Sequence, residues 1–141
     1  MERDETMTKK ATILLIDNDI DFIEMNKAVL QHNGYDVFFA YNSQEGYELA
    51  KLESPDIIVL DLMMEEHDSG FTLAKKIKKD PTLKDIPILM LTAVADRTGF
   101  NFSQEEDGYW MKTDAFIDKP CPPKDLMLKI EEMLSRVKET S

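Results

Sequence analysis

Four short segments carry side chains that would do chemistry if the fold brought them together. The apolar run Ile13-Leu14-Leu15-Ile16 leads into Asp17-Asn18-Asp19, and Ile57-Ile58-Val59-Leu60 leads into Asp61. A third run, Ile88-Leu89-Met90-Leu91, ends at Thr92, and Ala115-Phe116-Ile117-Asp118 runs into Lys119-Pro120. Gathered on one rim, these segments would supply carboxylates, a hydroxyl and an ammonium. Clustered carboxylates repel one another unless a cation sits among them, and hard oxygen donors of this kind suit Mg2+ with retained water. Lys119 adds a further positive charge. A phosphoryl group would fit between the cation, Lys119 and the Thr92 hydroxyl, with one carboxylate as its acceptor. Taken singly, each residue has a plainer reading: Asp17 or Asp19 as a helix cap, Thr92 as a turn residue, Lys119 as a solvated lysine before a rigid proline. Their joint placement is what favours chemistry.

The elements that must position these residues follow from hydrophobic patterning. Thr12–Ile16, Asp36–Ala40, Ile57–Leu60, Ile86–Leu91 and Ala115–Ile117 read as strands, the third and fourth apolar on both faces, as expected of parallel strands covered on both sides. Between them, Phe22, Met25, Val29 and Leu30 recur at helical spacing, with Gly34 placed to end that helix in a left-handed cap. A second helix is expected over Gln44–Leu52 behind a Ser43 cap, and a third over Gly70–Lys79 with Phe71, Ala74 and Ile77 inward and Pro81 stopping it. The last helix, about Lys124–Lys138, opens at Pro122-Pro123 and carries Leu126, Met127, Ile130, Met133, Leu134 and Val137 on one stripe. From Ala93 to Asp114 the pattern is weaker, because Ser103-Gln104-Glu105-Glu106 looks like a capping box but Gly108 interrupts the helix it would open. Strand–helix alternation of this length implies an α/β fold with a doubly wound five-stranded parallel sheet, which binds ligands at the carboxyl ends of its strands.

Composition narrows the function further. With 141 residues the chain suits one domain, and 43% hydrophobic content fills a core. A net charge of −11 opposes binding to nucleic acid through phosphates. No apolar run approaches the roughly 20 residues needed to span a bilayer, so no membrane partner is expected. One cysteine, Cys121, cannot form an internal disulfide, and together with the lack of a leader this reads as cytoplasmic. Cys121 is expected to pack rather than react, His67 to lie in a loop, and His32 to end the first helix.

From about Lys10 to Val137 the sequence resembles the receiver domain of two-component response regulators, in a stand-alone, chemotaxis-regulator-like form. In that family an acidic pair ends the first strand, an aspartate on the third accepts a phosphoryl group from a sensor kinase histidine, and a Thr/Ser and then a Lys-Pro follow. These fall on Asp17 with Asn18, on Asp61, on Thr92-Ala93 and on Lys119-Pro120, with the switch aromatic on Phe116. The resemblance implies a flavodoxin-like sheet of order 2-1-3-4-5, a cis Lys119-Pro120 bond, and Mg2+ held by Asp17, Asn18, Asp61 and the Met63 backbone carbonyl. It also implies a phosphoacceptor signalling protein rather than an enzyme. Thr92 and Phe116 would switch its surface, and its partners would be a sensor histidine kinase or phosphotransfer protein and a downstream protein target. The implied partner surface is the 93–114 region, the fifth strand and the last helix, with Tyr109 and Trp110. Met63 and Val94 would border the hydrolytic water; neither can orient it, so autodephosphorylation should be slow. Residues 1–10 are expected to be a flexible lead-in, 11–138 the receiver domain, and 139–141 a tail with no output domain after it.

Three features depart from the family pattern. Asn18 stands where a second acid is usual, which removes a charge from the metal site. Glu65 replaces a common proline in a loop one residue longer than usual, and the stretch between Thr92 and Lys119 is longer and holds Phe100, Phe102, Tyr109 and Trp110. Two alternatives remain open: a receiver-like binding module that signals without phosphate, which Asn18 favours, and a haloacid-dehalogenase-type phosphatase using Asp17-Asn18-Asp19. Against the second, such an enzyme needs a further acidic pair after the lysine, and it leaves Asp61 unused. A flavodoxin-like flavin carrier is disfavoured because Asp17 and Asp19 would repel a phosphate.

Overall fold

The computed structural model describes residues 11–62, 69–92, 114–119 and 121–140, the side chains of 69 and 136–140 excepted. In chain order the elements are β1 (Thr12–Ile16), α1 (Ile20–His32), β2 (Asp36–Ala40), α2 (Ser43–Glu53), β3 (Ile57–Asp61), α3 (Ser69–Lys79), β4 (Ile88–Thr92), β5 (Ala115–Asp118) and α4 (Pro123–Thr140). The five strands form one parallel sheet in the order β2-β1-β3-β4-β5, as expected.

The side-chain period of two divides the core between the faces of this sheet. Leu14, Ile16, Ile58, Leu60, Ile88 and Met90 point to one face, where Ala50 of α2 and Leu73, Ala74 and Ile77 of α3 cover them. The alternate residues Ile13, Leu15, Ile57, Val59, Leu89 and Leu91 meet Phe22, Ile23 and Leu30 of α1 and Leu126, Ile130 and Met133 of α4. Burying each of the larger side chains, Val, Leu, Ile, Met or Phe, contributes about 1.5–3 kcal/mol. The central strands β3 and β4 are buried along their whole length, so their ends are anchored on both faces.

Local sequence accounts for most of these elements, and the structure corrects the buried face of α1, the cap of α2 and the start of β4. Asp19 caps α1 by accepting from the Phe22 N–H at 3.1 Å, and Gly34, at φ 97°, turns the chain out of α1 where a Cβ would be strained. The inward stripe of α1 is Phe22, Ile23, Asn26 and Leu30, while Met25 is 53% exposed. The buried Asn26 amide donates to the Phe22 carbonyl at 2.8 Å, while its Oδ1 has no hydrogen-bond partner among the described residues. The cap of α2 is Asn42, not Ser43: extended at φ −151°, Asn42 accepts from the Glu45 N–H at 2.9 Å, and Ser43 becomes the first helical residue. Strand β4 starts at Ile88 rather than Ile86. Pro87 has no N–H for the ladder, and the Ile86 N–H is engaged in a turn with the Leu83 carbonyl. In α3, Ala74 and Ile77 are buried and Phe71 is half-buried against the same core. The lead-in 1–10, the candidate helix at Ser103, and the aromatics Phe100, Phe102, Tyr109 and Trp110 lie outside the described residues. No helix among the described residues is long and apolar enough to cross a membrane.

Candidate functional site

The carboxyl edge of the sheet collects the predicted residues. Asp17 follows β1 directly, and its N–H extends the ladder to β2 by donating to the Ala40 carbonyl at 3.1 Å. This turns its side chain inward, where it is 1% exposed and its Oδ1 accepts from the Asp19 N–H at 2.9 Å. The two acids around Asn18 are thereby divided in role: Asp17 enters the site and Asp19 caps the helix. The Asn18 side chain stands at the exposed rim.

Asp61 is the last residue of β3 and is 5% exposed. Its position depends on the start of α3, since the Gly70 N–H donates to the Leu62 carbonyl at 3.1 Å and a Cβ on Gly70 would fall 1.9 Å from the Asp61 carbonyl oxygen. Only a glycine lets the helix approach this closely. Thr92 ends β4, is 1% exposed, and lies in register with Asp118 of β5. Its carbonyl accepts from the Lys119 N–H at 2.8 Å, which directs the lysine side chain back over the strand ends.

Lys119 joins the two buried carboxylates. Its Nζ is 3.1 Å from Asp17 Oδ2 and 3.6 Å from Asp61 Oδ2, and it lies 4.6 Å from the centre of the Phe22 ring. Burial alone would lower the Lys119 pKa, but Asp17 and then Asp61 together more than offset it, holding the ammonium above its ordinary value. One ammonium between two carboxylates leaves a net negative pocket, and Phe22 adds an aromatic face to it. Phe22 and Gly70 were absent from the sequence-derived site. Helical periodicity marks Phe22 only as a core residue, and nothing local marks Gly70 as touching Asp61.

Phe116 is half-buried in β5, in register with Met90 and packed against the α2–α3 side of the core. Cys121 is half-buried, packs against the α1–α4 side of the core, and has its thiol pKa raised by burial and then by Asp125, as suits a packing residue. Met63, Glu65, His67, Val94 and Pro120, and with them the proposed metal carbonyl, the lengthened loop, the water-bordering pair and the cis bond, lie outside the described residues. Among the described residues no group of three or more His, Cys, Asp or Glu is placed to hold a metal, which leaves Asp17 and Asp61 as the paired acids.

Residues 13–131 match the response regulator receiver domain family. The chain is 33% identical over 125 residues to the phosphate regulon transcriptional regulatory protein PhoB of Pseudomonas aeruginosa, covering 89% of this chain and 52% of that protein. It is 35% identical over 124 residues to the DNA-binding dual master transcriptional regulator RpaA of a Synechocystis species, covering 88% and 49%. The chain thus spans about half the length of these curated relatives. Among solved structures, the chemotaxis response regulator CheY4 of Vibrio cholerae superposes with a TM-score of 0.72 at 27% identity, over 89% of this chain and 99% of that one. The signal receiver domain of a signal transduction histidine kinase from Syntrophus aciditrophicus gives 0.74 at 30%, over 93% and 95%. Neither the fold nor these relatives support the haloacid-dehalogenase-type alternative. A parallel sheet of this order, two buried acids bridged by a lysine at its carboxyl edge, and a family match over most of the chain agree: the protein belongs to the response regulator receiver domain family, whose members are phosphoacceptor modules of two-component phosphorelay signalling rather than classical enzymes.

Proposed function

We propose that this receiver takes a phosphoryl group onto Asp61 from the phosphohistidine of a sensor histidine kinase or phosphotransfer protein. The observation that carries this reading is the Lys119 ammonium lying 3.1 Å from Asp17 and 3.6 Å from Asp61, with Thr92 buried at the end of the neighbouring strand. A carboxylate oxygen of Asp61 forms the bond to phosphorus as the bond to the donor imidazole nitrogen breaks, and the imidazole keeps that electron pair. Because β3 is buried on both faces, Asp61 meets the donor with little reorganisation. Lys119, held in its charged form, neutralises a phosphoryl oxygen, and the Thr92 hydroxyl donates to another.

The donors present fit Mg2+. Asp17 and Asp61 offer buried carboxylate oxygens on either side of Lys119, Asn18 offers a neutral amide oxygen from the rim, and the Met63 carbonyl completes the proposed set. When bound, the ion supplies the positive charge that lets a dianionic phosphoryl group approach two acids. Asn18 contributes less attraction than an acid would, so the site is a weak one.

After transfer, Thr92 moves toward the phosphoryl group and Phe116 turns into the space it leaves, which biases a two-state surface toward the downstream target. The cytoplasm is the proposed place of action, and Met63 and Val94 make the phosphorylated state long-lived. The deciding experiment is incubation with acetyl phosphate and Mg2+ followed by intact mass. The wild type should gain one phosphoryl group and Asp61→Asn none. Equal uptake by Asp61→Asn would refute the acceptor assignment, and no uptake by the wild type at saturating Mg2+ would favour the phosphate-independent binding module.

A further inference from the structure

On the face of the sheet away from α1 and α4, helices α2 and α3 lie side by side, and between them is an open groove of about 760 Å³. Its walls carry Lys51 from α2 and Lys75, Lys76 and Lys79 from α3, in a chain whose net charge is −11. The helix dipole accounts for lysines in the last turn of α3. It accounts equally for Lys51 in the last turn of α2, but not for Lys75, which precedes the last turn of α3 and lines the same groove.

The groove has a defined framework. Asp80, buried at the end of α3, accepts from the Tyr47 hydroxyl at 2.5 Å, from Lys51 Nζ at 3.3 Å, and from the Thr82 N–H and hydroxyl at 2.8 and 2.7 Å. These bonds hold its carboxyl well below the usual range, the Tyr47 hydroxyl first among them, so Asp80 stays charged. It fixes Tyr47 against α3 and balances Lys51. Lys76 then lies over the Tyr47 ring at 4.1 Å, and Lys75 over the Phe71 ring at 5.0 Å. Aromatic faces orient these two ammonium groups without neutralising their charge.

We infer that the α2–α3 groove is a docking surface for an acidic peptide segment of a partner protein, separate from the phosphorylation site. Charge complementarity selects the sign of the occupant, and the donors select its class. Among the described residues neither an arginine fork nor a helix N-terminus lines the groove, and these are the rigid donor sets that recognise a compact phosphate. Lysine ammonium groups on flexible stems suit carboxylates spaced irregularly along a chain.

The test is fluorescence anisotropy of the full chain with a labelled decaglutamate peptide, with decaglutamine as the neutral control. Lys75→Glu with Lys76→Glu should weaken decaglutamate binding by about ten-fold or more, because it reverses two charges at the contact. Lys124→Glu with Lys129→Glu changes the net charge equally, but on α4, and should weaken it by no more than about two-fold, the remaining long-range part being screened by salt. Lys75→Ala with Lys76→Ala serves as the milder pair should the reversal impair folding by circular dichroism, and should itself weaken binding more than the α4 pair does. Equal losses for the α3 and α4 pairs, or no preference for decaglutamate over decaglutamine, would overturn the proposal. So would inorganic pyrophosphate displacing the peptide at concentrations that match its own binding, since the groove would then be a small-anion site. Loss of binding in the wild type through formation of a dimer on this face would assign the groove to a second copy instead, and refute the partner peptide.

Discussion

Replacing Lys78 by methionine should cost the fold about 3–5 kcal/mol, because it breaks a buried ion pair by removing one side only. The Lys78 side chain is 1% exposed and that of Asp114 is 2%, with 2.9 Å between Nζ and Oδ1. Lys78 also donates to the carbonyls of Lys84 at 3.2 Å and Ile86 at 3.0 Å, so the three protons of the ammonium have three acceptors. Asp114 in turn accepts from the Ile88 N–H at 2.8 Å, so the pair ties the end of α3, the 80–87 turn and the start of β4 to the approach to β5. Methionine keeps the stem but leaves a buried carboxylate without this cation. For a domain of this size the loss corresponds to a fall in Tm of roughly 10–20 °C. Adding Asp114→Asn removes the stranded charge while keeping an oxygen for the Ile88 N–H. The double variant should therefore recover about 2 kcal/mol, with the residual cost that of two carbonyls losing a donor at about 1 kcal/mol each. Urea unfolding followed by circular dichroism, with equal slopes across variants, measures both. Burial holds the Lys78 pKa below its ordinary value although Asp114 and Asp85 oppose it. Between that lowered value and the ordinary lysine value the unfolded chain binds more protons, so this group makes stability rise with pH there, and Lys78→Met should remove that rise. If the double variant is no more stable than Lys78→Met, the stranded charge is not the source of the cost and the reasoning fails.

Three further outcomes follow from the same geometry. Gly70→Ala places a Cβ 1.9 Å from the Asp61 carbonyl oxygen, so α3 must retreat; it should cost about 1–3 kcal/mol and slow phosphoryl uptake at Asp61 by about ten- to a hundred-fold, and wild-type values in unfolding and intact-mass time courses would refute this. Tyr35, raised to about 12 by burial and then by Glu131, with its hydroxyl donating to that carboxylate at 3.3 Å, contributes stability that is complete below about pH 10 and lost as pH rises through about 12. Tyr35→Phe should remove the highest-pH step from an ultraviolet tyrosine titration, and persistence of that step would assign it elsewhere. Asn18→Asp adds a full charge at the rim beside Asp17 and should tighten Mg2+ by about ten-fold in calorimetric titration, where unchanged or weaker affinity would refute the placement of Asn18 at the metal.

The sequence determined the strands and their role in the site with little help from the fold. Ile57–Leu60 and Ile88–Leu91 are apolar at every position, which only a strand covered on both faces can use, and a polar residue directly after such a run must emerge at the carboxyl edge. That local logic reaches Asp17, Asp61, Thr92 and Lys119 because each is one step from a strong periodic signal. It also separates Asp17 from Asp19, since a cap is read from its own helix. Tertiary structure decided what depends on residues far apart in the chain. The face that α1 buries is Phe22, Ile23, Asn26 and Leu30 rather than the stripe through Met25, because α4 and the sheet set its rotation. The partnership of Lys78 with Asp114, the closeness of Gly70 to Asp61, and the meeting of Lys51 with Lys76 across Tyr47 leave no local pattern. A lysine in a helix or a glycine at its start reads the same whether it faces water or a buried carboxylate, and what it faces is set only when the helices close on the sheet.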